Sequence, residues 1–509
     1  MRIQEFRTIL LSSLIVIGTA AIIVFALKLY TGPKPVGEYL SQNITQTLSP
    51  WLSKKFNRTP YDEDTKGNQN LDRILGTRSN APRPNIILIL AHGLGYGDLG
   101  CYGNTVVKTP HINDLAAQGA IFTRFYTANA VDVPSRAALL TGRHAHRTGV
   151  TYTLYPDTDP HTIRRAMRNM EKAFTRMGAM DHPRDLSILK GLPPSEISVA
   201  RGLKKAGYHT ALFGKWDLGD FNEDENFHPL AHGFDWFNGF NPGFGDWPVT
   251  HWENKTPLEK DIRRGNMPST TYFFKKARAF IQSPNKTPFF IMISPPGPRD
   301  ILQKRPPTLS HLGPYGDSIE EMDTHLGKLM DHLTQNKLDA NTLIILTSDT
   351  GPGTVGSTGN LRGRMGDGFE GGFRIPLIMH WPKKIPSRTQ ITRPAMNTDI
   401  LPSLFDVAGL LPLWDRIIDG TSLWPLIKDE PILPHPSFYY YNGNELMGMV
   451  KGKLKYLQYP EPALYNLGLD PREQYNLVGH NPHIQKDFQA RLAQWKQDLI
   501  ENPRGWQKQ

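Results

Sequence analysis

The stretch PNIILILAHG, residues 84–93, decides how the rest of the chain is read. Six apolar residues run from Ile86 to Ala91 without alternation, opened by Pro84 and closed by Gly93. An unbroken Ile/Leu run of this length is the pattern of a strand covered on both faces, which is how parallel sheets are built. Similar runs recur in TALFG (210–214), PFFIMIS (288–294), TLIILTSD (342–349) and IPLIMHWP (375–382). Between them lie helical patterns such as HINDLAAQGAIF (111–122) and YGDSIEEMDTHLGKLMDHLTQN (315–336). Alternation of this kind predicts an α/β domain whose large mixed, mostly parallel sheet is sandwiched by helices. In such sheets ligands gather beyond the carboxyl ends of the strands, so residues just after the runs, His92 and Asp349 among them, are the first candidates for a site.

Outward from this core the texture changes. Residues 9–27, ILLSSLIVIGTAAIIVFAL, form an uncharged apolar run of about twenty residues, enough to cross a bilayer as a helix. Arg2 and Arg7 precede it and favour a cytoplasmic N-terminus. A cleaved signal peptide is the competing reading; the run is long for one, and no small-x-small cleavage site follows in LKLYTGPKP. Both readings export the bulk of the chain. The expected layout is a cytoplasmic N-terminus (1–8), an anchor (9–29), a polar tether (30–83), the α/β domain (84–430) and a C-terminal subdomain (431–509). Short alternating strands in SFYYYNG, LMGMVKGKLKYLQY and ALYNL, then a helix over about 482–502, predict that the subdomain is small and antiparallel.

Composition bounds the partners. The chain has 509 residues, 39% of them hydrophobic, and a formal charge of +10. A basic surface of this kind suits anionic head groups or anionic ligands as well as plain solvation. No basic run is interleaved with aromatics, so no nucleic-acid partner is expected. Cys101 is the single cysteine, which excludes an intramolecular disulfide and a Cys-rich metal site. For an exported domain this fits a bacterial periplasm better than a eukaryotic lumen.

Several stretches, in colinear order from Pro84 to Asn476, resemble the sulfatase family of the alkaline phosphatase superfamily. They are PNIILILAHGLGYGDLGCYGN, KTPHINDLAAQGAIFTRFY, VPSRAALLTGRHAHRTG, YHTALFGKWDLG, HGFDWFNGF, YGDSIEEMD, LIILTSDTGP, LRGRMGDGFEGGFRIPLIMHWP and ALYNLGLDPREQYNL. The resemblance implies sulfate-ester hydrolysis by a formylglycine made from the Cys of a C-x-P-S-R motif. It also implies a divalent cation, usually calcium, held by an Asp-Asp pair after the first strand and an Asp-Asn pair after a later one. Lys and His side chains would bind the sulfate and handle protons.

Position by position, the chain departs from that pattern. The Asp-Asp pair is His92-Gly93, and the Asp-Asn pair is Asp349-Thr350. The formylglycine Cys is Asp132, in Asp132-Val133-Pro134-Ser135-Arg136. In G-K-W-H-L-G, Lys215 is kept and the His is Asp217; the His of P-H-x-P is Arg299; the Lys of L-R-G-G-K-G is Met365. Of the family set only Arg136, Lys215 and Asp349 remain. An aspartate cannot mature to formylglycine, and its attack on a sulfate would bring two anions together. Losing one positioned group commonly costs about a hundredfold or more in rate, so the chain is expected to be inactive as a sulfatase.

The scaffold motifs LLTGR, YGDSIEEMD, Glu370-Gly371-Gly372 and Asp419-Gly420 are intact, which argues for retained use of the fold. Two arrangements are open for the altered site. His92, Asp132, Asp217 and Asp349 would hold a divalent metal in a new way, with Arg136, Lys215, Arg299 and Arg364 ready for an anion. Alternatively, Asp132 and Asp217 pair with Arg136, Lys215 or Arg299 and merely compensate charge. Two functions follow. One is a single-pass membrane protein with its main domain in the periplasm, binding an anionic ligand or serving as a subunit of a membrane or periplasmic assembly. The other is a hydrolase or transferase acting on sulfate or phosphate esters by different chemistry. His144 and His146 are expected at a surface or helix end, Cys101 in a buried position, and Trp216 and Phe369 packed around the pocket.

Overall fold

The computed structural model describes residues 75–78, 83–151, 191–222, 224–241, 249–262, 268–282, 287–299, 310–382, 384–430, 437–459 and 461–507. The apolar run at 9–27 and residues 30–74 of its tether lie outside the described residues. At the far end of that tether Leu75 is buried in the main core and Arg78 N donates to the Gly409 carbonyl at 2.6 Å, so these residues belong to the folded domain. Among the described residues, no helix is long and apolar enough to cross a membrane.

One mixed sheet organises the larger part. Its strands are β1 (Asn85–Ala91), β2 (Ala120–Tyr126), β3 (His209–Lys215), β4 (Trp236–Phe240), β5 (Val249–Glu253) and β6 (Thr256–Ile262). They continue with β7 (Phe289–Ser294), β8 (Thr342–Ser348), β9 (Arg374–His380), β10 (Thr389–Ile391) and β11 (Ala395–Met396). The spatial order is β10-β2-β9-β8-β1-β7-β3-β4-β5-β6, with β11 also paired to β2. The central strands β8, β1, β7, β3 and β4 are parallel. Alternate residues of β1 enter opposite cores: Ile86, Leu88 and Leu90 pack on one side, and Ile87, Ile89 and Ala91 on the other. This two-sided burial is why the run shows no alternation. Each such Ile or Leu side chain contributes about 1.5–3 kcal/mol when removed from water.

Two expectations need correction. IPLIMHWP carries the same unbroken apolar pattern as the parallel runs, but β9 is antiparallel to both β8 and β2. A strand buried on both faces is apolar whichever way it runs, so composition does not carry its direction. The pattern of HINDLAAQGAIF predicts a helical stretch throughout, yet the helix spans Pro110–Ala117 and Ala120 opens β2. The break falls at Gly119, where a Cβ would meet the Met379 carbonyl oxygen at 2.3 Å. The long helix was legible and spans Gly313–Gln335.

The C-terminal part is the antiparallel meander β12 (Phe438–Asn442), β13 (Glu445–Lys451), β14 (Leu454–Leu457) and β15 (Ala463–Asn466). Helix Pro482–Glu501 covers one face through Phe488, Leu492 and Leu499. The other face shares a core with Tyr126, Phe373 and Met396 of the main domain. A buried ionic knot reinforces that seam. Lys455 Nζ lies 3.2 Å from Glu370 Oε1 and 2.9 Å from Glu473 Oε1, while Arg374 and Tyr126 bind Glu370 Oε2 at 2.6 and 2.9 Å.

Candidate functional site

Register alone brings two of the candidate residues together. β1 and β8 run in parallel with Ala91 opposite Ser348, so the next residues, His92 and Asp349, emerge side by side. Asp349 N donates to the Ala91 carbonyl (3.1 Å), and His92 Nδ1 donates to Asp349 Oδ2 (2.8 Å). On the other flank β3 pairs with β7, Gly214 opposite Ser294, which delivers Lys215 to the same rim. The chain beyond β7 extends the pairing: His92 N donates to the Gly297 carbonyl and Arg299 N to the His92 carbonyl, carrying Arg299 over the strand ends.

Asp132 opens helix Asp132–Thr141, where an anion is favoured by the unpaired amides and the helix dipole. Its Oδ1 accepts from Val133 N at 2.9 Å. Arg136 lies one turn further on the same face. Its Nε donates to Asp349 Oδ2 (2.9 Å), and its Nη1 donates to Ser294 Oγ (2.9 Å) and the Lys215 carbonyl (3.3 Å). Lys215 Nζ donates to His92 Nε2 at 3.3 Å and pairs with Asp217 Oδ2 at 3.1 Å; Arg136 Nε is 3.7 Å from the same oxygen. Arg299 Nη1 stands 3.4 Å from Asp132 Oδ2, and His92 Nε2 is 3.9 Å from it. The structure therefore gathers Asp132, Arg136, Lys215, Asp217, Arg299, His92 and Asp349 into one network.

Electrostatics follow from that geometry. Burial by itself would push the Asp349 carboxyl up, but His92 and Arg136 beside it hold it well below the usual carboxylate range. Asp217 goes the other way: burial raises its carboxyl, and the attraction of Lys215 and Arg136 offsets this only in part. Asp217 also sits at φ +60°, a region that disfavours side chains other than Asn, Asp and Gly. Arg364 points elsewhere, donating to the Gly353 and Gly356 carbonyls at 2.8 and 2.6 Å.

These residues do not fit a divalent ion. A calcium ion takes six to eight oxygens at about 2.3–2.6 Å, and a magnesium ion six. Asp349 spends Oδ2 on His92 and Arg136 and Oδ1 on Gly93 N at 2.9 Å. Asp217 faces Lys215, and Asp132 faces Arg299. Among the described residues three carboxylates thus meet three permanent cations, and none of the three carboxylates is left over for a divalent ion. Among the described residues, no group of three or more His, Cys, Asp or Glu side chains is arranged to hold a metal. Among the described residues, the geometry carries the charge-compensating arrangement.

Sequence reasoning missed the supporting layer. Ser135 Oγ donates to the Asp349 carbonyl and accepts from Asn397 Nδ2 (2.9 Å) and Thr127 Oγ1 (2.7 Å). Ser294 holds Arg136. Only its place beside Gly214 in the sheet could have pointed to it. His144 and His146 do lie at a helix end, within or next to Ala145–Thr148, but both are buried, and the His146 ring lies against Tyr441 with centroids 3.8 Å apart and the planes tilted by 36°. Cys101 is half-buried. Trp216 is buried behind the site and donates from Nε1 to the Phe227 carbonyl, while Phe369 stacks under Arg362.

Comparison with known proteins agrees with this architecture. The family model described as Sulfatase matches residues 84–410, and that described as N-sulphoglucosamine sulphohydrolase, C-terminal, matches residues 368–498. N-acetylgalactosamine-6-sulfatase of Canis lupus familiaris is 34% identical over 407 residues, covering 75% of this chain and 73% of that protein. Steryl-sulfatase of Homo sapiens is 30% identical over 457 residues, covering 73% and 74%. Among solved structures, Ps i-CgsB in complex with k-i-k-neocarrahexaose superposes with a TM-score of 0.67 at 25% identity, covering 84% of this chain and 95% of that one. The phosphonate monoester hydrolase of Agrobacterium radiobacter shares the fold at a TM-score of 0.55 and 19% identity, covering 82% and 96%. The family's members generally bind a divalent metal, which sets the altered strand ends of this chain apart. The chain belongs to the sulfatase family.

Proposed function

We propose that this protein is a sulfatase-fold member that does not hydrolyse sulfate esters by the formylglycine route. In this reading the run at 9–27 tethers it to a membrane, and the exported domain serves in binding or as a subunit of a membrane or periplasmic assembly. The observation that supports the reading most is Asp132. It stands at the nucleophile's place with Oδ2 turned to Arg299 at 3.4 Å and Oδ1 engaged by Val133 N. A carboxylate so paired is a weak nucleophile and cannot become a gem-diol. The retained scaffold supports a use other than catalysis, because LLTGR and Glu370-Gly371-Gly372 are kept.

Affinity isolation of the full chain from membranes tests the assembly. A stoichiometric partner retained through detergent extraction is expected. A chain that is released into the soluble fraction and isolated alone would count against both the tether and the assembly.

One observation favours a second reading. Asp349 fixes the Nδ1–H of His92, which aims Nε2 toward Asp132 and Lys215; an imidazole oriented by a carboxylate is the usual arrangement of a general base. On that reading the chain is a hydrolase or transferase of sulfate or phosphate esters that uses Asp132 and His92. Turnover of aryl sulfates or phosphate mono- and diesters that Asp132→Asn abolishes would establish it.

A further inference from the structure

Gly93 and Arg299 occupy one another's space. Gly93 has φ +66°, and a Cβ built on it would lie 2.9 Å from Cδ and 3.0 Å from Cβ of Arg299. The Cβ of Arg299 is held by its backbone, whose N donates to the His92 carbonyl at 3.1 Å, so only Cγ and Cδ could move aside, by a change of rotamer. A side chain at 93 and the arginine stem at 299, in the rotamer that reaches Asp132, therefore compete for the same space. The sulfatase resemblance puts a metal-binding Asp at position 93, so the chain has lost that side chain and filled its place with the stem of an arginine. The guanidinium at the end of that stem faces Asp132, and His92 bridges Asp349 to Lys215.

We infer that Arg299, together with Arg136 and Lys215, has taken over the structural role of the divalent cation, so that the strand ends stay assembled with no metal ion. The inference rests on the Gly93–Arg299 geometry and on the ion pairs of Asp132, Asp217 and Asp349 among the described residues. It does not depend on whether the protein turns anything over, because a metal-independent site is compatible with either functional reading. It also predicts coupling. Gly93→Asp should be more damaging beside Arg299 than beside alanine, which keeps the Cβ contact but removes Cγ and Cδ, because sites that share space do not add.

The test uses the full chain in detergent, purified without chelator. Metal content is measured by mass spectrometry, and Tm is recorded with EDTA and with calcium, magnesium, manganese or zinc. The expected result is far less than one ion per chain and the same Tm throughout. A resident ion in roughly hundredfold excess over its Kd would raise Tm by several degrees. About one ion per chain, with EDTA lowering Tm or a saturable rise on metal addition, would overturn the inference. The second arm compares Gly93→Asp in the wild type and in Arg299→Ala. A larger Tm loss in the wild type, with calcium restoring Tm only in the double variant, is expected; equal losses in both backgrounds would refute the coupling. Where Gly93→Asp does not fold in the wild-type background but folds in the Arg299→Ala background, the coupling is met, and the wild-type metal content decides the rest.

Discussion

Arg136 meets Asp349 twice on a single oxygen: its Nε and Nη2 each stand 2.9 Å from Oδ2, with both residues buried. The same oxygen receives His92 Nδ1, so one carboxylate atom ties the helix that carries Asp132 to strands β1 and β8. This contact holds the site together.

Breaking it from one side should therefore be severe. Asp349→Ala takes from the buried Arg136 guanidinium its nearest carboxylate and leaves only Asp217 at 3.7 Å, and breaking a buried pair typically costs about 3–5 kcal/mol. Replacing both partners with apolar residues, Arg136→Met with Asp349→Leu, should cost clearly less than the sum of the single changes. Urea unfolding of wild type, the two single variants and the double variant measures this; additive losses would contradict a coupled pair.

The seam to the C-terminal sheet should be acid-labile. Burial would raise the Glu370 carboxyl, but Lys455 and Arg374 draw it down from 4.5 to about 2. A group depressed in the folded state stabilises above its unfolded value and loses that contribution as pH falls through the folded one. Glu370→Gln should therefore be less stable than wild type near neutral pH, by about 3–5 kcal/mol. The gap should narrow as the pH drops from 4.5 toward about 2. Unfolding midpoints of the two proteins across that range measure it, and a constant gap would contradict the assignment.

Asn129 couples the same sheet to the start of the Asp132 helix. Its Nδ2 donates to the Gly443 carbonyl (2.8 Å), and its Oδ1 accepts from Gly443 N (3.0 Å) and Val131 N (2.9 Å). Asn129→Ala removes the side-chain partner of all three backbone groups, at about 1–3 kcal/mol for each left buried and unsatisfied. Hydrogen exchange should quicken at both Val131 and Gly443. Loss of protection at only one of them would argue against the coupling.

The sequence made much of this legible, for identifiable reasons. The Ile86–Leu90 run reads as a doubly covered strand because both faces are buried, and the colinear motifs placed His92, Asp132, Lys215 and Asp349 at strand or helix ends. Direction was not legible for β9, since a buried run carries no mark of its neighbours' polarity. The start of β2 was lost inside an amphipathic pattern that Gly119 interrupts. Nor was the exchange between Gly93 and Arg299 visible, because residues so far apart in the chain become neighbours only through the extended segment after β7. The choice between a metal cluster and ion pairing needed distances, which alone show each carboxylate facing a cation.

The most direct test of the account is sulfate-ester turnover by the purified full chain, set beside Asp132→Asn and a no-enzyme control, with calcium, magnesium, manganese and zinc each in excess. The account predicts that wild type and variant both release product no faster than the control. Release by the wild type that Asp132→Asn abolishes would contradict it.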